Sequence, residues 1–214
     1  MTSFLILGAG KLASQILRKI EFYDFSMYEN IKGCFDDFKE PNTKIYKNLK
    51  VLGSFSDVSN FDCKNVLLIP AIGYKELQNR LDTLNSFIKN DFRYQNLIFS
   101  DNILSTNIGT GNFVSPNSVI DVGCNIGNFN FFDISTSIGE DCEIGDGNYF
   151  SNSSVICGNC KISDSNFVGA NATFIDNIKV GSNCKINSSS LIHNDLENNV
   201  KYLEPRKHFI HESL

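Results

Sequence analysis

Stepping by six from Ile108, the chain places Ile108, Val114, Ile120, Ile126, Phe132, Ile138, Ile144, Phe150, Ile156, Ile162, Val168, Phe174, Val180, Ile186 and Ile192 in one register, all apolar and with no insertion. A period of six fits neither the 3.6 of a helix nor the alternation of a simple strand. It is the pattern of a hexapeptide-repeat parallel β-helix, in which each repeat is one side of a coil and three repeats close a turn.

The fourth residue after each apolar position tests this reading, because small side chains should recur there every eighteen residues, once per coil. Three files result: Asn112, Asn130, Asn148, Asn166 and Cys184; Ser118, Thr136, Ser154, Ala172 and Ser190; and Cys124, Cys142, Cys160 and Ile178. With rungs about 4.8 Å apart, the coils stack into a prism roughly 24 Å long.

The repeat occupies the second half of a 214-residue chain, so two folding units are expected. A formal charge of −5 without Lys/Arg clusters argues against nucleic acid, which needs a basic face. No stretch reaches membrane-span length and the N-terminus lacks a charged leader, so a cytoplasmic protein is expected. Of the seven cysteines, Cys124, Cys142, Cys160 and Cys184 fall on the small-residue files, where they act as compact apolar groups. Cys157 and Cys160 form a C-x-x-C without a second ligand pair, so no metal is expected.

Ahead of the repeats, the apolar run Phe4 to Leu7 meets Gly8-Ala9-Gly10-Lys11-Leu12-Ala13 and then a helical pattern through Leu17 and Ile20. This is strand, glycine turn, helix, an arrangement that lets a backbone approach a phosphate at a helix N-terminus. A second strand, Ile31 to Phe35, ends at Asp36-Asp37, about where a Rossmann unit carries its ribose-binding acid. Val66 to Ile69 makes a third strand running into Ala71-Ile72-Gly73, and Leu77, Leu81, Leu84 and Ile88 mark one face of a second helix. A short strand near 96–99 leads into the repeats. The expected division is a Rossmann-like α/β domain over 1–103, the solenoid over 104–196 and a capping tail over 197–214, which carries Arg206, Lys207 and two of the three histidines.

A Rossmann-like domain with GAG at its first turn, DD after its second strand and AIG after its third, fused to a hexapeptide solenoid, resembles the bacterial sugar acyltransferases. These are typified by sialic acid O-acetyltransferases and by N-acetyltransferases acting on UDP-4-amino sugars. The resemblance spans nearly the whole chain. It implies a left-handed coil, a homotrimer with sites between neighbouring prisms, acetyl-CoA as donor and a nucleotide-activated amino sugar as acceptor, in surface polysaccharide or glycan biosynthesis. It assigns sugar-nucleotide binding to Gly10, Lys11, Leu12, Asp36, Asp37 and Gly73, and contacts with the acyl donor to Tyr149, Ala170 and Ser188.

The chain departs from that family where the chemistry is done. The family's catalytic histidine lies in a segment that here reads Ile138-Gly139-Glu140-Asp141-Cys142-Glu143-Ile144-Gly145-Asp146, and its position is Glu140. The supporting acid is kept as Asp141, the family's second histidine becomes Tyr149, and His-Pro before the solenoid becomes Phe99-Ser100. Transfer from a thioester needs a nucleophile, a proton acceptor and a donor for the oxyanion. A sugar hydroxyl depends on a strong base, whereas an amine is partly neutral near pH 7 to 8 and is helped mainly by proximity. The residues therefore favour N-acylation, with Glu140 or Asp141 receiving the proton, above all if the pair shares a site. Two alternatives stay open: a catalytically silent protein that binds a sugar nucleotide or a partner enzyme, and transfer to oxygen or of another acyl group.

Overall fold

The computed structural model describes residues 2–104 and 107–203, so Arg206, Lys207, His208 and His211 lie outside the described residues. Its first half is a six-stranded sheet in the order β3-β4-β2-β1-β5-β6. The strands are β1 (Ser3–Leu7), β2 (Ile31–Phe35), β3 (Lys44–Tyr46), β4 (Leu49–Gly53), β5 (Val66–Pro70) and β6 (Arg93–Tyr94). All neighbouring pairs are parallel except β3 with β4. The edge pair β3–β4 has no counterpart in the apolar pattern, since Lys44, Lys47 and Lys50 interrupt it.

Helix α1 (Lys11–Tyr23) buries Ala13, Ile16, Leu17 and Ile20, the stripe expected at helical spacing. It leads into the single turn α2 (Phe25–Glu29), whose first N–H groups are capped by Asp24 through Met27. Helix α3 (Leu77–Ile88) buries Leu77, Leu81 and Leu84 as expected. Its last buried side chain is Phe87, whereas Ile88 is exposed. The correction is one of helical phase: Phe87 turns inward to meet Phe55 and Phe92, and the frayed end leaves Ile88 in water.

From Leu97 onward the backbone pairs into three sheets of short parallel strands, stacked in the manner of a left-handed β-helix. The strand Leu97–Ile98 joins the prism rather than the N-terminal sheet, pairing with Phe113–Val114. The last strand of that sheet is Lys201–Tyr202. Residues eighteen apart pair one to one, as in Ser137 with Val155 and Glu143 with Lys161. The apolar register points inward, from Val114 and Ile120 to Ile186 and Ile192, as one continuous core. No helix among the described residues is long and apolar enough to cross a membrane.

The small-residue files are answered internally. Asn130, Asn148, Asn166 and Cys184 each donate their backbone N–H to the side-chain oxygen of the asparagine one coil earlier, at 2.7 to 2.9 Å. The thiols of Cys124, Cys142 and Cys160 donate to the carbonyls of Gly139, Cys157 and Ile175. The asparagine and cysteine files are thus paired from coil to coil, where an unpaired group would cost about 1–3 kcal/mol, whereas the hydroxyls of Ser154 and Ser190 in the serine file are buried without a partner.

A second regularity lies at the edges of the prism. The third residue after nearly every inward apolar one has positive φ, for example Asn117 (61°), Asp141 (54°), Asn159 (58°) and Asn177 (66°). Asn, Asp, Ser and Gly fill all of these positions but Phe129, because they tolerate the left-handed conformation.

The three faces differ in what they show outward. The first carries Val119, Ser137, Val155, Thr173 and Leu191, with no charge. The second carries Asn107, Asn125, Glu143, Lys161 and Lys179, and Lys161 pairs with Glu143 at 2.6 Å. The third carries Phe113, Phe131, Tyr149 and Phe167, stacked with centroids 4.3, 4.8 and 5.7 Å apart. This aromatic file is covered by the N-terminal sheet layer, sharing one core with Ile6, Ala9, Ala13 and Leu17.

Candidate functional site

The C-terminal ends of β1, β2 and β5 gather the residues expected to bind a nucleotide. Gly8, at φ 109°, is required there, since a Cβ would stand 2.5 Å from the Ala71 carbonyl oxygen. Its bareness lets the first and third loops touch. Gly10 and Gly73 are exposed, and a Cβ on either would meet nothing within 4 Å, so these two leave open surface. Lys11 is exposed, Leu12 half-buried, and no side chain caps α1 behind Gly10.

Asp36 holds this mouth together. Its Oδ2 accepts the Ala9 N–H at 2.7 Å and its Oδ1 the Phe38 N–H at 2.9 Å. The glycine turn and the residue after the acid pair are thereby fixed to one carboxylate. Asp37 diverges from it, accepting the Phe55 N–H at 2.7 Å on the side of a cavity of about 690 Å³ between the 3-10 turn Phe55–Asn60 and α3. Beside them the Phe38 ring is 95% exposed, with no ring partner among the described residues. Nothing in the local sequence pattern separates this bare ring from a buried one.

Glu140 and Asp141 lie on the edge between the first and second faces, both exposed. They point in opposite directions along the prism. The Asp141 carboxylate lies over Gly123, one coil earlier, with Oδ1 2.0 Å from where a Cβ would be; the Glu140 carboxylate lies over Gly158, one coil later, at 2.9 Å. The two acids do not converge on one point within this chain. The Gly158 N–H is held by Asp176 Oδ1 at 3.0 Å. Next to this edge the second face forms an open groove of about 1,200 Å³ lined by Asn125, Glu143, Lys161 and Asp164.

Tyr149, Ala170 and Ser188 lie elsewhere, on the third face and on the edge between the third and first faces. Ala170 is half-buried and Ser188 exposed, and they adjoin through the Ser189 N–H, which donates to the Ala170 carbonyl at 2.8 Å. Tyr149 is buried beneath the N-terminal layer, its ring 4.4 Å from that of Tyr74 in the loop that follows Gly73. The structure therefore joins the loop after Gly73 to Tyr149 on the third face, and puts the width of the first face between the Ala170–Ser188 edge and Glu140.

One polar cluster at this junction was not read from the sequence. Lys19 of α1 donates to Ser115 Oγ at 3.0 Å and stands 3.9 Å from Asp133 Oδ1. Ser115 Oγ donates to the same oxygen at 3.3 Å, and the Tyr149 hydroxyl donates to Asp133 Oδ2 at 3.4 Å. Burial lowers the Lys19 pKa, against the pull of Asp133. Burial first, then the Asp133 charge, raises the Tyr149 phenol. Beneath Tyr149, Arg80 is buried with one long bond, 3.5 Å to the Gly147 carbonyl, and burial brings its guanidinium down to about 10. Asp133 is the one charged residue at its place in the coil, where Ser115, Ser151 and Gly169 occupy the neighbouring rungs, and that contrast was the available signal.

Neither a protein-family model nor any curated protein sequence matches the chain. Solved structures do, and at this level of identity they establish the fold alone. PerB from Caulobacter crescentus, a perosamine N-acetyltransferase in complex with CoA and GDP-perosamine, superposes with a TM-score of 0.79 at 17% identity, over 92% of this chain and 92% of that one. The acetyltransferase domain of PglB from Neisseria gonorrhoeae gives 0.79 at 18% identity, over 92% and 93%. WeeI from Acinetobacter baumannii gives 0.71 at 17% identity, over 92% and 94%.

Proposed function

We propose that the chain is an acyl-CoA-dependent transferase that N-acetylates the amino group of a nucleotide-linked sugar, in the cytoplasmic assembly of a surface polysaccharide or glycan. The observation that carries this reading is the Tyr74–Tyr149 contact. It connects the open glycine mouth, suited by its chemistry to a nucleotide, to the third face, whose Tyr149 is expected at the acyl donor. Similarly folded proteins bind CoA with GDP-perosamine, or acetyl-CoA, which supports the same pairing of ligands.

In this reading residues 1–103 act as a Rossmann-like domain that holds the sugar nucleotide through Gly10, Lys11, Leu12, Asp36, Asp37 and Gly73. The Phe38 ring offers the base a face to stack on. Residues 104–196 form a left-handed β-helix whose Tyr149, Ala170 and Ser188 line the acyl donor, and 197–214 cap it. Because Glu140 and Asp141 sit one face away from that donor edge, they take part only if a neighbouring copy supplies them. The uncharged first face, edged by the half-exposed Val122, Ile134 and Ile175, suits a homotrimer of that kind.

A catalytically silent sugar-nucleotide-binding protein is the second reading, favoured by the divergence of Glu140 from Asp141. Incubation with acetyl-CoA and a panel of UDP-, dTDP- and GDP-linked amino sugars, with the products weighed by mass spectrometry, separates the two. Acetylated product supports transfer. No product across the panel, with sugar nucleotide still raising the melting temperature, supports the silent protein. Sedimentation as a monomer under assay conditions would remove Glu140 and Asp141 from the reaction.

A further inference from the structure

We infer that Asp133 is the subsite for the acceptor amine: its carboxylate binds the protonated amino group of the sugar and takes the first proton released as that group becomes a nucleophile. The inference deepens the proposed transfer and rests on it. A chain of side-chain contacts leads there from the glycine mouth. Tyr74 follows Gly73 in the third loop, its ring lies on Tyr149, and the Tyr149 hydroxyl reaches Asp133 Oδ2. A sugar whose diphosphate sits at Gly10 and Gly73 extends along this path, and not toward Glu140 on the far edge of the first face.

The two carboxylate oxygens of Asp133 are differently employed. Oδ1 accepts the Ile134 N–H at 2.9 Å and the Ser115 hydroxyl at 3.3 Å, and faces Lys19. It orients the group. Oδ2 has the Tyr149 hydroxyl at 3.4 Å as its sole partner among the described residues, and the Asp133 side chain is 22% exposed. A lone pair is therefore left for an incoming donor, beside a phenol that can turn either way. The charged and titratable groups around it are Lys19 from α1 and Tyr149 from the third face, with Tyr74 and Arg80 acting on Tyr149 from the third loop and from α3. An ammonium gains a charge-assisted bond here that a hydroxyl in the same place does not.

The bonds balance without any further reactant. The ammonium gives one proton to Asp133, and the neutral amine attacks the thioester carbonyl. The C–N bond forms, the C–S bond breaks, and the second nitrogen proton goes to the departing sulfur, leaving amide and free CoA thiol. Asp133 returns its proton to water.

The test is titration calorimetry with GDP-perosamine and a UDP-4-amino-4,6-dideoxy sugar, each against its 4-hydroxy counterpart. Wild type is expected to prefer the amino compound of at least one pair by about tenfold or more, the equivalent of one charge-assisted hydrogen bond. Asp133→Asn, which keeps the shape and the Ile134 bond, is expected to erase the preference while binding the hydroxy compound unchanged. A preference that survives in Asp133→Asn overturns the role of Asp133 and leaves the transferase reading standing. Absence of any preference in the wild type overturns the subsite, and absence of all nucleotide binding overturns both.

Discussion

Phe129 stands edge-on against Tyr94, with ring centroids 4.7 Å apart and planes at 78°. It occupies a prism-edge position of positive φ (59°) where other coils carry Asn, Ser, Asp or Gly. That conformation costs an aromatic residue about 1–2 kcal/mol. Full burial of the ring contributes about 1.5–3 kcal/mol and the edge-to-face pair about 0.5–1.5 kcal/mol. Burial wins, and the prism is pinned to the core formed by Leu5, Leu81 and Phe92. Phe129→Ala should destabilise by about 3–5 kcal/mol. Phe129→Gly should recover about 1 kcal/mol of that by relieving the backbone, an order of stabilities that chemical denaturation can read.

The asparagine file makes a separate prediction. Asn148 accepts the Asn166 N–H and donates its own N–H to Asn130. Asn148→Ala leaves the Asn166 N–H buried and unanswered, at a cost of about 1–3 kcal/mol. The denaturant midpoint should fall while the slope of the transition holds.

Thiol accessibility should follow burial. Cys63 and Cys157 are partly exposed and the other five cysteines are buried. A disulfide reagent should modify those two in the folded protein and the remainder only on unfolding. Burial, then the charge of Asp176, raises the Cys157 pKa, so its thiolate fraction at pH 7 is below that of a free cysteine and its labelling rate should climb with pH. Cys34 is pushed up to about 12 by burial and should stay silent.

If a nucleotide base covers Phe38, the ring reports it. The chain contains no tryptophan, so Phe38→Trp installs a single fluorophore at a position 95% exposed. UDP or GDP should quench it saturably. Phe38→Ala should weaken binding by the equivalent of about 1–3 kcal/mol without altering the melting temperature.

Exposed carboxylates on the far edge should matter little to folding. Glu140→Ala and Asp141→Asn, the latter keeping a residue that tolerates φ 54°, are each expected to change stability by less than about 0.5 kcal/mol. Any loss of transfer in those variants then reports chemistry. Unchanged turnover would remove both acids as proton acceptors.

Ile108 to Ile192 was readable because the repeat is its own ruler: every inward residue, and each small side chain between, is decided by neighbours at a fixed distance along the chain. The strands ending at Phe35 and Pro70 were readable for a similar reason, being short apolar runs closed by turn residues. What escaped depends on contacts across the two halves. The outward aromatics Phe113, Phe131, Tyr149 and Phe167 recur every eighteen residues, yet they mean a covered face only once α1 is laid over them. Lys19 meets Ser115 across 96 positions, and no local pattern marks that meeting. Glu140 and Asp141 are adjacent in sequence, but the left-handed backbone at Asp141 turns its side chain away from its neighbour's.

The aromatic file on the third face also sets where such a chain can change length. Eighteen extra residues add one rung, and beyond Phe167 that rung would fall outside the rings that meet Ala9 and Tyr74. Between Phe113 and Tyr149 it would slide every later ring out from under Ala9 and Tyr74, parting the glycine loops from the third face. Growth by duplication is thus tolerated past Phe167 and barred between Phe113 and Tyr149.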